Sequence, residues 1–165
     1  MSFYAFFANK NDNPELLMEV GKTTKSKTVS FEKNAVLLSE DDWLEAHYPN
    51  QINSFDDFIK FSTLIKPFVK SHVQKILNTG TNVVMDFPAN TKKQRKWFKQ
   101  LCDEIQCDHE LVFLDLSDEK CLAKIAKRRE EQPHRAKFDN EDVFNHVTQY
   151  FEALSDSENF NIIKE

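Results

Sequence analysis

Glycine is scarce in this sequence: only Gly21 and Gly80 occur in 165 residues. A loop that wraps phosphate with its backbone N–H groups is normally rich in glycine. The scarcity excludes such a loop everywhere except around Gly21, where the stretch VGKTT matches the second half of the motif G-x-x-x-x-G-K-[ST]. The first glycine of that motif would fall at position 16, which is Leu16.

Cysteine and long apolar runs are also scarce. The three cysteines, Cys102, Cys107 and Cys121, are an odd number without metal-ligand spacing, which favours structural thiols in a reducing compartment. No run approaches the roughly 20 apolar residues that span a bilayer. The apolar stretch at the N-terminus is too short for a secretory signal and has no charge before it. We therefore expect a cytoplasmic protein that does not contact a membrane.

The net charge of −5 argues against a surface committed to nucleic acid or anionic lipid, so we do not expect a stable nucleic-acid complex. A composition of 40% hydrophobic and 30% charged residues is typical of a globular protein, and the length fits one domain over residues 1–165. Basic residues are nevertheless clustered within 92–99 and within 124–137. Each cluster is either a solvated helix face or a local anion site.

Apolar periodicity predicts alternating strands and helices. Five short segments have strand character: Phe3–Phe7, Ala35–Leu38, Asn82–Phe87, Glu110–Leu116 and Asn159–Ile163. Helical spacing occurs over residues 55–77, as one helix or two joined near Pro67, and again over 91–105, 118–129 and 141–151. This alternation predicts an α/β fold in which helices cover both faces of a parallel sheet.

Acidic residues follow three of the predicted strands. The stretch SEDDW follows the second strand, Asp86 ends the third, and Asp118 follows the fourth. Ligands of open α/β sheets bind outside the carboxyl ends of the strands, so these carboxylates suit a site that handles Mg²⁺ and a hydroxyl nucleophile. A helix N-cap is the simpler interpretation of Ser117 or Asp118. Asp41 and Asp42 are adjacent and point in different directions, so that one can cap a helix while the other faces a ligand.

The chain resembles the P-loop phosphotransferases of the AAA_33 type in five ordered segments: GKTTKSK, AVLLSEDDWLEAHYP, NVVMDFPANTKKQRKWF, CLAKIAKRR and YFEALSDSENFNII. These proteins are relatives of polynucleotide kinase, chloramphenicol phosphotransferase and the zeta toxins. The resemblance covers roughly Gly21 to the C-terminus. It implies a three-layer, nucleoside-kinase-like fold with a five-stranded parallel sheet in the order 2-3-1-4-5. It also implies a helical acceptor-binding region at about 44–78 and a lid at about 127–140.

The resemblance implies that the protein binds ATP and Mg²⁺. Lys22 matches the lysine on the β- and γ-phosphates, and Thr23 matches a Mg²⁺ ligand. Asp86 lies where related kinases orient Mg²⁺ through water. The residues that would contact the nucleotide are Gly21, Lys22, Thr23, Thr24 and Arg129.

The resemblance also implies the groups that carry the transfer to an acceptor. Asp41 matches the catalytic acid that accepts the proton of the attacking hydroxyl, and Asp42 is its neighbour on the substrate side. Asp86 would also contact the acceptor. Arg128 matches the lid arginine that stabilises charge on the transferring phosphoryl group. Arg95 either holds an acceptor phosphate or lies on a solvated helix face.

The segment between the first strand and the GK pair departs from the family pattern. Relatives place about six residues there, whereas thirteen, ANKNDNPELLMEV, intervene here. Two functions are therefore open. One is an active kinase that passes the γ-phosphoryl group of Mg-ATP to a hydroxyl of a small molecule or nucleotide. The other is a degenerate member that has lost tight ATP binding and acts as a binding or interaction module. A nucleotide hydrolase is a third, less favoured, possibility, because the aromatic-rich region after Asp41 suits an organic acceptor better than water.

Overall fold

The structure is a computed structural model that describes residues 2–8, 22–115, 118–131, 133 and 140–164. Strands and helices alternate through these residues: β1 (Ser2–Ala8), α1 (Lys22–Glu32), β2 (Ala35–Ser39), α2 (Glu40–His47), α3 (Phe55–Asn78), β3 (Asn82–Asp86), α4 (Lys92–Asp103), β4 (Glu110–Asp115), α5 (Asp118–Glu131), α6 (Glu141–Gln149) and β5 (Ile162–Lys164). A 3₁₀ turn at Asp156–Glu158 precedes β5. Each of the five predicted strands occurs close to its predicted position.

The strands form a sheet in the order β2-β3-β1-β4-β5. β2 pairs with β3 in parallel, and β4 pairs with β5 in parallel, which confirms the α/β class. β1 runs antiparallel to both β3 and β4, so the prediction of a fully parallel sheet is wrong at its central strand. Both kinds of ladder satisfy the backbone groups of a buried strand, and an apolar run therefore predicts the strand without its direction. Ala8, at the end of β1, pairs with Val83, near the beginning of β3.

Helices lie on both faces of the sheet. On one face, Val29 of α1 packs with Val84 of β3. On the other face, Val83 and Met85 belong to the main core, which includes the buried residues of α3 and α4. Successive residues of a strand point to opposite faces, so β3 supplies both layers with apolar side chains. All three of these β3 residues are almost completely buried.

α1 runs antiparallel to β2 and β3, two of the strands that it covers. The side-chain amide of Asn82 donates to the carbonyl oxygen of Lys33 at 2.8 Å, which fixes the end of α1 at the beginning of β3. Val29, one turn earlier in the chain, packs on Val84, halfway along β3. The first turn of α1 therefore points towards the carboxyl ends of β2 and β3.

α3 is a single helix of 24 residues that continues through Pro67. Its buried side chains recur every four residues, from Phe61 and Ile65 to Val69, Val73 and Leu77. Pro67 lies on the exposed face, where solvent can bond the carbonyl oxygen that the proline does not reach. Among the described helices, α3 included, none has the length and apolarity needed to cross a membrane.

Candidate active site

The carboxyl ends of β2 and β3 bring the predicted acidic residues together. Ser39 and Asp86 are register partners at the ends of these parallel strands, and α2 begins directly after Ser39. The Ser39 hydroxyl accepts a hydrogen bond from the backbone N–H of Asp42 at 3.3 Å and so caps α2. Glu40, Asp41 and Asp42 occupy the first helical turn, where the helix dipole favours negative charge.

These carboxylates differ in burial. Glu40 and Asp86 are only 2% and 3% exposed, whereas Asp41 is half-buried and Asp42 is exposed. A carboxylate is costly to bury unless hydrogen bonds or charges hold it, so the positions of Glu40 and Asp86 are strongly specified by the fold. The predicted pair is thus split, with Asp41 next to the buried groups and Asp42 facing solvent.

A cavity of about 380 Å³ lies beside the acidic turn, between α3, α4 and α6. This volume falls within the usual range for small-molecule sites. The polar part of its wall includes Glu40, Ser62, Lys66, Asn90 and Lys93. The apolar part includes Phe55, Phe58, Phe87, Trp97 and Tyr150. Most of these residues come from the predicted acceptor region and from the stretch that follows β3.

Glu40 is the buried one of the two carboxylates that line the cavity, the other being Asp56. The hydroxyl of Ser62 donates to Glu40 Oε1 at 2.6 Å, and both side chains are buried. This bond ties the acidic turn of α2 to α3. Neither Glu40 nor Ser62 was among the site residues predicted from the sequence. The signal in the sequence that could have identified Glu40 is Ser39. A serine N-cap at position 39 makes Glu40 the first residue of α2.

Lys66 lies one helical turn after Ser62 and lines the same cavity. Burial lowers the pKa of Lys66, the carboxylate of Glu40 opposes that effect, and the nearby ammonium of Lys93 lowers the pKa further. Lys66 Nζ also lies 5.7 Å from the ring centroid of Trp97, within cation–π range. The carboxylate of Glu40 and the indole ring of Trp97 therefore attract the Lys66 ammonium, whereas the ammonium of Lys93 repels it.

Arg95 is engaged within the protein. It is fully buried, and its Nε and Nη2 donate to the two carboxylate oxygens of Glu158 at 2.7 and 3.0 Å. Further bonds reach the carbonyl oxygens of Ala89 and Ala153 at 3.1 and 3.3 Å. Burial raises the pKa of Glu158, but its bonds with Arg95, the hydrogen bond from the backbone N–H of Ser155 and the nearby charge of Lys92 together outweigh that effect and hold the pKa below its usual value. Arg95 thus does not lie on a solvated helix face, and its guanidinium, in place of contacting an acceptor phosphate, fixes the loop after β3, which forms one wall of the cavity.

Of the predicted nucleotide-binding residues, Lys22, Thr23 and Thr24 begin α1. Gly21, residues 9–20 of the intervening segment before it and the side chain of Lys22 lie outside the described residues. Thr23 and Thr24 are exposed in the first turn of α1. A helix N-terminus favours anions, and this one points to the edge of the sheet where Asp86 lies.

Mg²⁺ bound with a nucleotide usually takes one or two protein oxygen atoms together with phosphate oxygens. The hydroxyl of Thr23 and the carboxylate of Asp86 are donors of this kind. In the described parts of the chain, no group of three or more His, Cys, Asp or Glu side chains could hold a metal ion without such help. The donor set therefore fits a nucleotide-bound Mg²⁺ better than a metal site made of protein alone.

Arg128 and Arg129 lie in the last turn of α5, where the helix dipole favours positive charge. Arg128 is half-buried and Arg129 is exposed. Within the predicted lid, residue 132 and residues 134–139 lie outside the described residues, as does Ser117 before α5. The roles of both arginines at a phosphoryl group stay predictions.

An α/β sheet with acidic residues at the carboxyl ends of β2 and β3, a helix N-terminus directed to that edge and a cavity beside it is compatible with a P-loop kinase-like class of protein. The sequence model of the AAA domain family AAA_33 matches residues 20–154, most of the chain, and the protein belongs to this family. This match confirms the resemblance recognised in the sequence. A second model, of a family of unknown function called DUF6500, matches residues 1–36. No curated protein matches the sequence.

Proposed function

We propose that this protein is a phosphotransferase that moves the γ-phosphoryl group of Mg-ATP to a hydroxyl group of a small molecule or nucleotide. The observation that carries the proposal is the acidic first turn of α2, which contacts a cavity of about 380 Å³ through Glu40. In-line phosphoryl transfer needs an acceptor held next to a carboxylate and a group that neutralises the phosphates. The family match supports the same class of reaction.

In this proposal the acceptor occupies the cavity, and its hydroxyl group extends past Glu40 to Asp41, the next residue of α2, which accepts the proton. Asp41 is half-buried and directly follows Glu40, whose bond to Ser62 holds the turn against α3. Glu40 and Ser62 are therefore positioning residues for Asp41. A well-placed general base typically contributes about 10²–10⁴-fold to the rate.

ATP would bind at the beginning of α1, with Lys22 on its phosphates. Thr23 and Asp86 would hold Mg²⁺, which supplies neutralisation of the phosphate charge when it is bound. Arg128, with Arg129 beside it, would stabilise the charge on the transferring group from the end of α5. Each of these groups addresses a different need of the reaction.

A turnover assay with ATP and a panel of hydroxyl compounds and oligonucleotides tests the proposal. We expect ATP-dependent phosphorylation of at least one compound, which Asp41→Asn lowers by about 100-fold or more. Glu45→Gln is the matched control, because Glu45 is an exposed carboxylate on the same helix. Absence of turnover, or an equal loss in both variants, would contradict the proposal.

One observation favours the second function, a family member without tight ATP binding. β1 is antiparallel to β3, so its last residue lies at the edge of the sheet opposite the carboxyl ends of β2 and β3. A phosphate loop normally leads directly from the end of such a strand to the helix. A thermal-shift titration distinguishes the functions, because a ligand at 100 times its Kd adds about 2.7 kcal/mol of stability. A clear shift with Mg-ATP supports the kinase, whereas no shift supports the binding module.

A further inference from the structure

We propose that the cavity between α3, α4 and α6 binds a flat aromatic compound that carries one anionic group. The ring would pack beside Trp97, and the anion would lie at Lys66 and Lys93. This inference names the acceptor class of the proposed phosphotransferase and rests on that function for the transfer step. Binding of the compound to the cavity can be measured whether or not the protein transfers a phosphoryl group.

The aromatic part of the proposal follows from the cavity wall. The rings of Phe87 and Trp97 lie 6.4 Å apart at an interplanar angle of 29°, and Phe98 meets Trp97 edge-on at 5.0 Å. Across the cavity, Phe55 stacks on Phe58 with ring centroids 6.3 Å apart. A flat ligand between these groups gains stacked or edge-to-face contacts as well as apolar burial.

Tyr150 lines the same cavity and yet is 57% exposed. Its ring lies 5.2 Å from the ring of His146, which in turn meets Phe55 edge-on at 5.3 Å. These contacts hold the end of α6 against the beginning of α3. An exposed aromatic side chain at the wall of a cavity is available to cover a bound ring.

The anionic part follows from the distribution of charge along the wall. Lys66 is half-buried, and the ammonium of Lys93 is close enough to act on it electrostatically. Glu40 supplies one negative charge at this end, and its Oε1 also accepts the Ser62 hydrogen bond. The other carboxylate of the wall, Asp56, precedes Lys66 by ten residues on α3, which is about 15 Å along a helix axis. One end of the cavity is therefore cationic, and an anion bound there offsets the mutual repulsion of two ammonium groups.

Tryptophan fluorescence provides a direct test. The chain has two tryptophans, and Trp43 packs against Phe68 and His72 at 5.7 Å each. A Trp43→Phe variant leaves Trp97 as the reporter of the cavity. We expect phenyl phosphate to change its emission saturably, and phenol and inorganic phosphate to bind at least about tenfold more weakly. Equal binding of phenol would overturn the anionic requirement, equal binding of inorganic phosphate would overturn the aromatic one, and no response to phenyl phosphate would overturn both.

Two further compounds distinguish a nucleotide from a phenolic carboxylate as the ligand of the cavity. Uridine monophosphate presents a ring and a phosphate as a nucleotide does, whereas 4-hydroxybenzoate presents a phenolic ring and a carboxylate. Binding of either one at least about tenfold more tightly than phenol supports the proposal and assigns the ligand to that chemical group. Both compounds also carry a hydroxyl group, which phenyl phosphate lacks, so failure of both would overturn the assignment of the cavity ligand as the acceptor.

Substitutions of Lys66 and Lys93 test whether the anionic group of the ligand contacts these two lysines. Lys66→Gln and Lys93→Gln should each weaken phenyl phosphate binding by about tenfold or more, because each removes a charged donor. Lys75→Gln is the matched control, since Lys75 is an exposed lysine on α3. An equal effect in all three variants would overturn the assignment.

The two proposals can fail separately. Phenyl phosphate binding without ATP turnover would support the cavity ligand and contradict the kinase. ATP turnover without aromatic-anion binding would support the kinase and contradict the ligand class.

Discussion

The two halves of the proposed site differ in how the protein holds them. In the acceptor half, Glu40 and Ser62 are buried and bonded at 2.6 Å, and the Arg95–Glu158 pair fixes a wall of the cavity. In the nucleotide half, Thr23 and Thr24 are exposed at the beginning of α1. Thr23 and Thr24 also lie within residues 1–36, which match a second family model.

This difference separates pre-organised contacts from contacts that only a ligand can complete. The acceptor half is assembled by hydrogen bonds between distant parts of the chain, so its residues contribute to folding as well as to binding. An exposed threonine on a helix contributes little to the stability of the fold. Its contribution to binding appears only when the nucleotide is present. Variants in the two halves should therefore separate stability from ligand binding.

The largest effect on stability is expected at Arg95. Arg95→Met removes the partner of Glu158 and the donors to two carbonyl oxygens, and loss of one member of a buried ion pair costs about 3–5 kcal/mol. Urea denaturation measures this change. Lys96→Met, at an exposed lysine next to it on α4, should change the free energy of unfolding by less than about 0.5 kcal/mol. Similar losses of unfolding free energy in the two variants would show that the Arg95–Glu158 pair does not hold the cavity wall.

A smaller loss is expected at Ser62. Ser62→Ala removes the donor to buried Glu40 and should lower the free energy of unfolding by about 1–3 kcal/mol. Ser71→Ala, at an exposed serine of the same helix, is the control and should be nearly neutral. Chemical denaturation of both proteins at the same pH makes the comparison. An unchanged free energy of unfolding in Ser62→Ala would contradict the claim that this bond positions the acidic turn.

Acid should weaken the Arg95–Glu158 contact. The pKa of Glu158 in the folded protein lies below its usual value of 4.5, so this carboxylate contributes stability above that value and loses it as pH falls through its folded pKa. The stability difference between wild type and Arg95→Met should therefore shrink at pH values well below 4.5. Urea titrations across this range provide the measurement. A difference that stays constant or grows as pH falls would contradict the assigned ion pair.

The smallest effect on stability is expected at Thr23. Thr23→Val should change the free energy of unfolding by less than about 0.5 kcal/mol, because the side chain is exposed. It should nevertheless reduce the thermal shift produced by Mg-ATP, because it removes a proposed Mg²⁺ ligand. Thr28→Val, later on α1, serves as the control. An unchanged Mg-ATP shift in Thr23→Val would remove Thr23 from the proposed nucleotide site.

The sequence predicts the features that depend on local patterns. The β-branched run of β3 and the acidic turn after β2 are both visible in it, and the rule for parallel strands places Ser39 beside Asp86. Contacts between distant residues are not visible in this way: Ser62 follows Glu40 by 22 residues, and Glu158 follows Arg95 by 63. The direction of β1 was missed for a similar reason, because its partners lie far along the chain and its own apolar residues suit either direction.

The central claim is that the acidic turn of α2 transfers phosphate to an organic hydroxyl. Its most direct test is the fate of the label when γ-labelled Mg-ATP is incubated with the protein and an aromatic alcohol that also carries an anionic group. We predict a labelled organic phosphate from the wild type and from Glu45→Gln, and about 100-fold less of it from Asp41→Asn. Label that stays in ATP, or that appears only in inorganic phosphate, would contradict the claim.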